Sequence, residues 1–266
     1  MAIEFENDEL YAACKAVEPF LDRLVLVGGW AFRALMNIWR EEERETKDTD
    51  FAVELVSREA FEEISNHLLA KGFKHREVSD KLKRRIKLEY SFEQQDKRIE
   101  ILPVGEFARE LTDLDLKEYR LAFDDNEVLN VRSASGDALS LKVVHVSSLV
   151  VMKVFSYTDR WYERRKDLTD LEYLTEHYGV EHEKYGLTVK LKEWFEEKNV
   201  TYEMASTHLL GREIQKKLQD ELFMEAQKRL VAIIERISDS EHEETSRTQR
   251  LKILLEYFQD KYESLI

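Results

Sequence analysis

Residues 24–35 read LVLVGGWAFRAL, and the reading of this stretch decides the fold. Leu24–Val27 is a short, fully apolar run and predicts a buried strand. Gly28 and Gly29 break it, and from Trp30 to Trp39 the apolar residues return at helical spacing. Glycine lets the backbone approach a ligand closely. The start of a helix offers free N–H groups and a partial positive charge, which suit phosphate. A strand, two glycines and a helix also occur simply as a tight turn, so the meaning of the unit depends on what surrounds it.

The next segment, RETKDTDFAVEL at 44–55, places Asp48 and Asp50 two residues apart in an extended stretch, with a strand expected over Asp50–Leu55. Side chains at that spacing leave the same face. Two carboxylates so close repel each other unless a cation lies between them. Mg²⁺, or Mn²⁺ in its place, is the natural candidate, because it prefers hard oxygen ligands and bridges to substrate phosphates. Farther on, RIEILPV at 98–104 puts Glu100 between Ile99 and Ile101, facing opposite to both. An acid on an apolar strand either points to solvent or has a partner or a role.

The intervening elements predict an alternation of helix and strand. Residues 7–18 carry Leu10, Ala13, Cys14 and Val17 at helical spacing. A helix is expected over 57–70, with Ser57 as its N-cap and Glu59 in the first turn; Ala60 three residues on excludes a full capping box. Gly72 ends it. Two strands, Arg85–Phe92 and Arg98–Val104, flank the polar turn EQQDK, and a further hairpin over 128–133 and 139–144 surrounds Ser135, Gly136 and Asp137. From Ser147 onward everything reads helical, in five or six helices, the last being Thr245–Leu265 with Leu251, Leu254, Leu255 and Phe258 on one face. The expected fold class is α+β: a mixed sheet with flanking helices over residues 1–140, then an all-helical half over 141–266.

Composition bounds the setting. One cysteine, Cys14, excludes an intrachain disulfide framework and suits a reducing cytoplasm. The acidic N-terminus has no apolar core of a signal peptide, and no apolar run approaches the length of a membrane span. At a net charge of −14 the chain is a poor general binder of nucleic acid. A local basic run from Lys74 to Lys87 is either a solvated edge or a seat for an RNA end.

In the helical half, SSLVVMKVFSYTDRWYERRKDLTDLEYL spans 147–174. Lys153, Arg160 and Asp167 recur every seven residues, which on a continuous helix is one stripe beside Val150, Val154 and Trp161. Asp170 follows one turn after Asp167. Such a polar line is either an ordinary solvated edge or the wall of a cleft.

Taken together, the strand–Gly-Gly–helix unit, the Asp48/Asp50 pair and Glu100 resemble the DNA polymerase beta-like nucleotidyltransferase superfamily. Trp30 stands where that family often has Ser or Thr, so phosphate contact would rest on backbone N–H groups and Arg33; Glu100 stands where Asp is commoner. The Lys153–Arg160–Asp167 series, the run Arg44-x-Thr46-x-Asp48-x-Asp50-Phe51 and the Leu102-Pro103 pair resemble the AbiEii/MenT-type, toxin-like branch. The resemblance implies Asp48, Asp50 and Glu100 as metal ligands and catalytic acids. It implies Lys153 against triphosphate charge, with Asp167 orienting it or positioning the substrate. Gly28, Gly29, Trp30, Arg33, Arg44, Thr46 and Arg160 would bind the nucleotide. The implied reaction moves an NMP from an NTP to an acceptor hydroxyl on an RNA 3′ end, such as tRNA, or on a protein, in a toxin–antitoxin or phage-defence system with an antitoxin as a possible partner.

Two other readings stay open. Antibiotic nucleotidyltransferases also carry a Gly-Gly-Trp turn, and an acidic surface suits a cationic aminoglycoside. A non-catalytic module of the same fold is the other, although clustered acids have no purpose in a dead site. The seven histidines are scattered without zinc-ligand spacing, and neither a Gly-x-Ser-x-Gly elbow nor a Walker loop is present.

Overall fold

The computed structural model describes residues 2–36, 46, 48–55, 57–75, 91–94, 97–105, 117–178, 201–218, 220–240 and 245–263. The chain divides into two compact units, Met1–His145 and Val146–Ile266.

The first unit is built on an eight-stranded mixed sheet: β1 (Ile3–Glu6), β2 (Leu24–Val27), β3 (Asp48–Glu54), β4 (Lys74–His75), β5 (Ser91–Gln94), β6 (Lys97–Val104), β7 (Asn126–Arg132) and β8 (Ala138–Val144). Their spatial order is β1-β7-β8-β2-β3-β6-β5-β4. β3 runs antiparallel to β2 and parallel to β6. Helices α1 (Asp8–Ala16), α2 (Gly28–Leu35), α3 (Arg58–Ala70) and α4 (Leu121–Asp124) belong to the same unit. All four residues of β2 are fully buried. A strand enclosed on both faces needs no polar alternation, which is why LVLV reads as a continuous apolar run.

Several elements follow from local chemistry. The Asn7 side chain accepts from Leu10 N at 2.9 Å and starts α1, whose Leu10, Ala13 and Cys14 are buried. Ser57 accepts from Ala60 N and starts α3. The expected hairpin is present as β7 and β8 in antiparallel pairing. Others differ from expectation. β3 begins at Asp48, two residues before the expected start, because β6 supplies ladder partners for Asp48 and Thr49. α2 begins at Gly28 itself rather than at Trp30. β1 was not anticipated; it is held by parallel pairing with β7, and only Phe5 in it is buried. Of the strand expected over 85–92, only Ser91 and Phe92 lie within the described residues, and all of the basic run after His75 lies outside them.

Among the described residues the elements of the second unit are α5 (Val146–Asp159), α6 (Arg165–His177), α7 (Tyr202–Lys217), α8 (Asp220–Ser240) and α9 (Ser246–Glu263). α5 packs against α6, α7 and α8 and is buried on nearly every side. The expectation of one continuous helix through Lys153, Arg160 and Asp167 is corrected: the chain leaves helix at Arg160 and re-enters at Arg165. Trp161, expected on the apolar stripe, is 43% exposed in that turn. Leu251, Leu254 and Phe258 of α9 are buried as expected, with Phe258 stacked on Phe223 of α8. Leu255 is only half-buried. No helix among the described residues is long and apolar enough to cross a membrane.

Candidate active site

The junction of β2 and α2 is built around one close approach. Val27, the last residue of β2, pairs with Asp50 of β3. The chain then turns through Gly28 at φ +69°, a left-handed conformation that side chains disfavour. A Cβ on Gly28 would stand 2.1 Å from Asp50 Oδ2 and 2.9 Å from its Cγ. Glycine is therefore required twice over, for the backbone angle and for the space the carboxylate occupies. Val27, as N-cap, has no side-chain oxygen to satisfy the first N–H groups of α2, and no side-chain cap bond is made.

Strand register assembles the acids. In the parallel β3–β6 pair Asp48 stands opposite Arg98, and Asp50 opposite Glu100. Alternation then puts Asp48, Asp50 and Glu100 on one sheet face, all half-buried, while Thr49, Phe51, Ile99 and Ile101 are buried on the other. Arg98 Nη1 lies 3.7 Å from Asp48 Oδ1. Ser91, in register with Glu100 across β5–β6, donates its hydroxyl to Glu100 Oε1 at 3.4 Å. Hard carboxylate oxygens from three positions on one face fit a divalent cation in kind. Among the described residues, however, no three acidic, histidine or cysteine side chains already converge on a cation-sized point.

The remaining expected nucleotide contacts fall in different surroundings. Gly29 is buried at the start of α2. Trp30 and Arg33 are also inside, 2% and 1% exposed, with the guanidinium 4.5 Å above the indole. That stack places a cation and an aromatic wall behind the turn rather than on its surface. Thr46 is half-buried, and Arg44 lies outside the described residues.

The second unit brings Lys153, Asp167 and Asp170 together. Lys153 Nζ is 2.6 Å from Asp167 Oδ1 and 2.6 Å from Asp170 Oδ2, and all three are at most 5% exposed. Ser156 donates to Asp167 Oδ2 at 2.7 Å. Burial alone would raise the Asp167 pKa; the Lys153 charge and hydrogen bond, Arg164 and the Ser156 hydroxyl outweigh it and hold the group below the usual carboxylate range. Arg160 stands apart in the turn, with Nη1 3.9 Å from Glu163 Oε2. Ser91, Arg98 and Ser156 were not singled out from sequence. Ser91 and Arg98 depend on cross-strand register, and Ser156 on the helix turn, none of which is visible in a linear string.

A family sequence model described as "Nucleotidyl transferase AbiEii toxin, Type IV TA system" matches residues 10–263. No curated protein matches the chain.

Proposed function

The chain belongs to the AbiEii nucleotidyl transferase toxin family, and on that premise we propose that it transfers an NMP from an NTP to the 3′ hydroxyl of an RNA, as the toxin of a toxin–antitoxin pair. The observation that carries the site is the approach of the Asp50 carboxylate to Gly28. It sets an acid directly beside a helix start whose N–H groups suit phosphate. The triphosphate lies over Gly28 and Gly29, with the buried Arg33 adding positive potential from behind. Asp48, Asp50 and Glu100 would hold Mg²⁺ or Mn²⁺. Such an ion would supply Lewis-acid stabilisation of the charge that develops on the phosphate.

Glu100 is the base in this reading. Its Oε1 accepts from Ser91, which helps hold the carboxylate in place, and the group would take the proton of the attacking hydroxyl. The hydroxyl oxygen forms a bond to the α-phosphorus, the bond from that phosphorus to the bridging oxygen breaks, pyrophosphate leaves, and the hydroxyl proton passes to Glu100. Lys153 enters through the family resemblance as the cation that neutralises phosphate charge. Its ammonium is already fixed by Asp167 and Asp170, which supports a positioning role for Asp167. Arg160 and Thr46 are proposed nucleotide contacts on the same footing. Membership of a toxin–antitoxin family supports an antitoxin as partner.

The test incubates the protein with each α-labelled NTP, Mg²⁺ and, in separate reactions, total RNA, cell extract or an aminoglycoside, beside the Asp48→Ala/Asp50→Ala variant. Label in RNA, lost in the variant and on chelation, is the expected result. Label in protein or in an aminoglycoside would replace the acceptor. No label in any acceptor, with no NTP binding, would sink the enzymatic reading.

A further inference from the structure

The turn between α5 and α6 has a composition that core packing does not use, and the proposed chemistry draws on it only through Arg160 and, beside Asp167, Arg164. Residues 159–166 read DRWYERRK. Trp161 through Lys166 are all exposed, in a chain whose net charge is −14. The large apolar side chains exposed among the described residues are Leu69, Val128, Met224, Trp161 and Tyr162, and only the last two are aromatic and adjacent. Trp161 is 43% and Tyr162 58% exposed, and their rings meet edge to face at 5.8 Å. The Arg236 guanidinium of α8 lies 3.6 Å from the Trp161 ring, so the indole is braced from a second helix.

The cations here are placed against local preference. Arg164, Arg165 and Lys166 occupy the N-cap and first turn of α6, where the helix dipole favours acids. With Arg160 they make four bases against Asp159, Glu163 and, beside Arg164, the buried Asp167. Asp159 is already engaged by Arg229 of α8, at 2.5 Å. A neutral or basic partner gives no reason for basic residues at that helix start; a polyanion does, and the exposed ring pair beside them selects nucleic acid among polyanions. Exposed rings with interleaved cations are what unpaired nucleic acid needs, because bases stack on the rings while phosphates take the charges. A duplex, whose bases are already stacked, has no use for the rings.

We infer that Trp161 and Tyr162, with Arg164, Arg165, Lys166 and Arg236 around them, form a docking surface for single-stranded RNA. The inference rests on the RNA reading above for the occupant it names. The aromatic pair takes one or two unstacked bases, and the first turn of α6 takes the neighbouring phosphates.

Fluorescence anisotropy with a labelled, unstructured RNA oligonucleotide across a salt series tests it, with a duplex of equal length alongside. Trp161→Ala/Tyr162→Ala should weaken single-strand binding at least about tenfold and leave the salt slope unchanged. Trp161→Phe/Tyr162→Phe, which keeps the ring faces, should restore most of it. Arg165→Glu/Lys166→Glu suits the helix dipole and so preserves α6; it should lower the salt slope by about 0.7 for each phosphate that is no longer neutralised. Wild-type affinity in the Trp161→Ala/Tyr162→Ala variant, no RNA binding by the wild type, or loss of a protein partner alone would overturn the assignment. Ring-dependent RNA binding without transfer of label would uphold this surface and remove RNA as the acceptor.

Discussion

At Gly28 two demands coincide, a backbone angle of φ +69° and a carboxylate where a methyl group would otherwise sit. Gly28→Ala should cost about 1–2 kcal/mol through the left-handed conformation alone, and it also displaces Asp50. The expected outcome is loss of nucleotidyl transfer with a lowered Tm. Adding Asp50→Ala should recover part of the stability and none of the activity; full additivity of the two losses would disprove the contact. Lys153 makes the opposite case. It is the cation between two buried carboxylates, so Lys153→Met leaves Asp167 and Asp170 without it. Removing one partner of a buried ionic group costs about 3–5 kcal/mol. A Tm within a degree of wild type would contradict the geometry. Asp167 also sets a pH dependence. Its folded pKa lies below its ordinary value, so its contribution is complete above that ordinary value and is lost as pH falls through the lowered one. The stability advantage of wild type over Asp167→Asn should therefore shrink as the solution is acidified through this window. A gap that stays constant into strong acid would refute it.

At the scale of elements, the local signals were the readable ones. Ser57 starts α3 by accepting from Ala60 N at 3.3 Å, and its side chain was recognisable from its place before an amphipathic run. Ser57→Ala should cost about 1 kcal/mol, the usual value of such a cap, in chemical denaturation; no change in midpoint would mean the bond is not made. Lys153 and Asp167 were legible as members of one seven-residue series but not as an ion pair. Fourteen residues on one helix would separate the two by about 21 Å, whereas the break at Arg160–Arg164 folds α6 back and closes the distance to 2.6 Å. Nothing in the seven-residue spacing distinguishes a stripe from a hairpin. Gly211 within α7 carries no local signal for a similar reason. A Cβ there would lie 2.4 Å from the Tyr257 ring of α9, a contact between helices distant in sequence. Gly211→Ala should thus be destabilising by about 1–3 kcal/mol, although alanine is the better helix former.

For the whole molecule, the proposed nucleotide site draws on β2–α2, β3 and β6, which are far apart along the chain and adjacent only when the sheet is formed. An NTP with Mg²⁺ should then bind the folded chain and not the unfolded one. At a hundred times Kd that linkage is worth about 2.7 kcal/mol, and it should appear as a rise in Tm that chelation or Asp48→Ala/Asp50→Ala removes. A rise that survives both would place the nucleotide elsewhere. What the sequence by itself determined is the set of parts: an apolar strand ending in two glycines, two acids at same-face spacing, a third acid on an apolar strand, and the helices found among the described residues after Val146. These are properties of neighbours within a few residues, where period and turn chemistry act. The tertiary structure alone decided that β3 and β6 run parallel, in the register that sets Asp50 beside Glu100. It also decided that Gly28 lies against Asp50, and that Trp161 stands exposed in a turn rather than buried in a helix. Register and chain reversal are fixed by packing between distant segments, and that energy has no trace in the local pattern of either one.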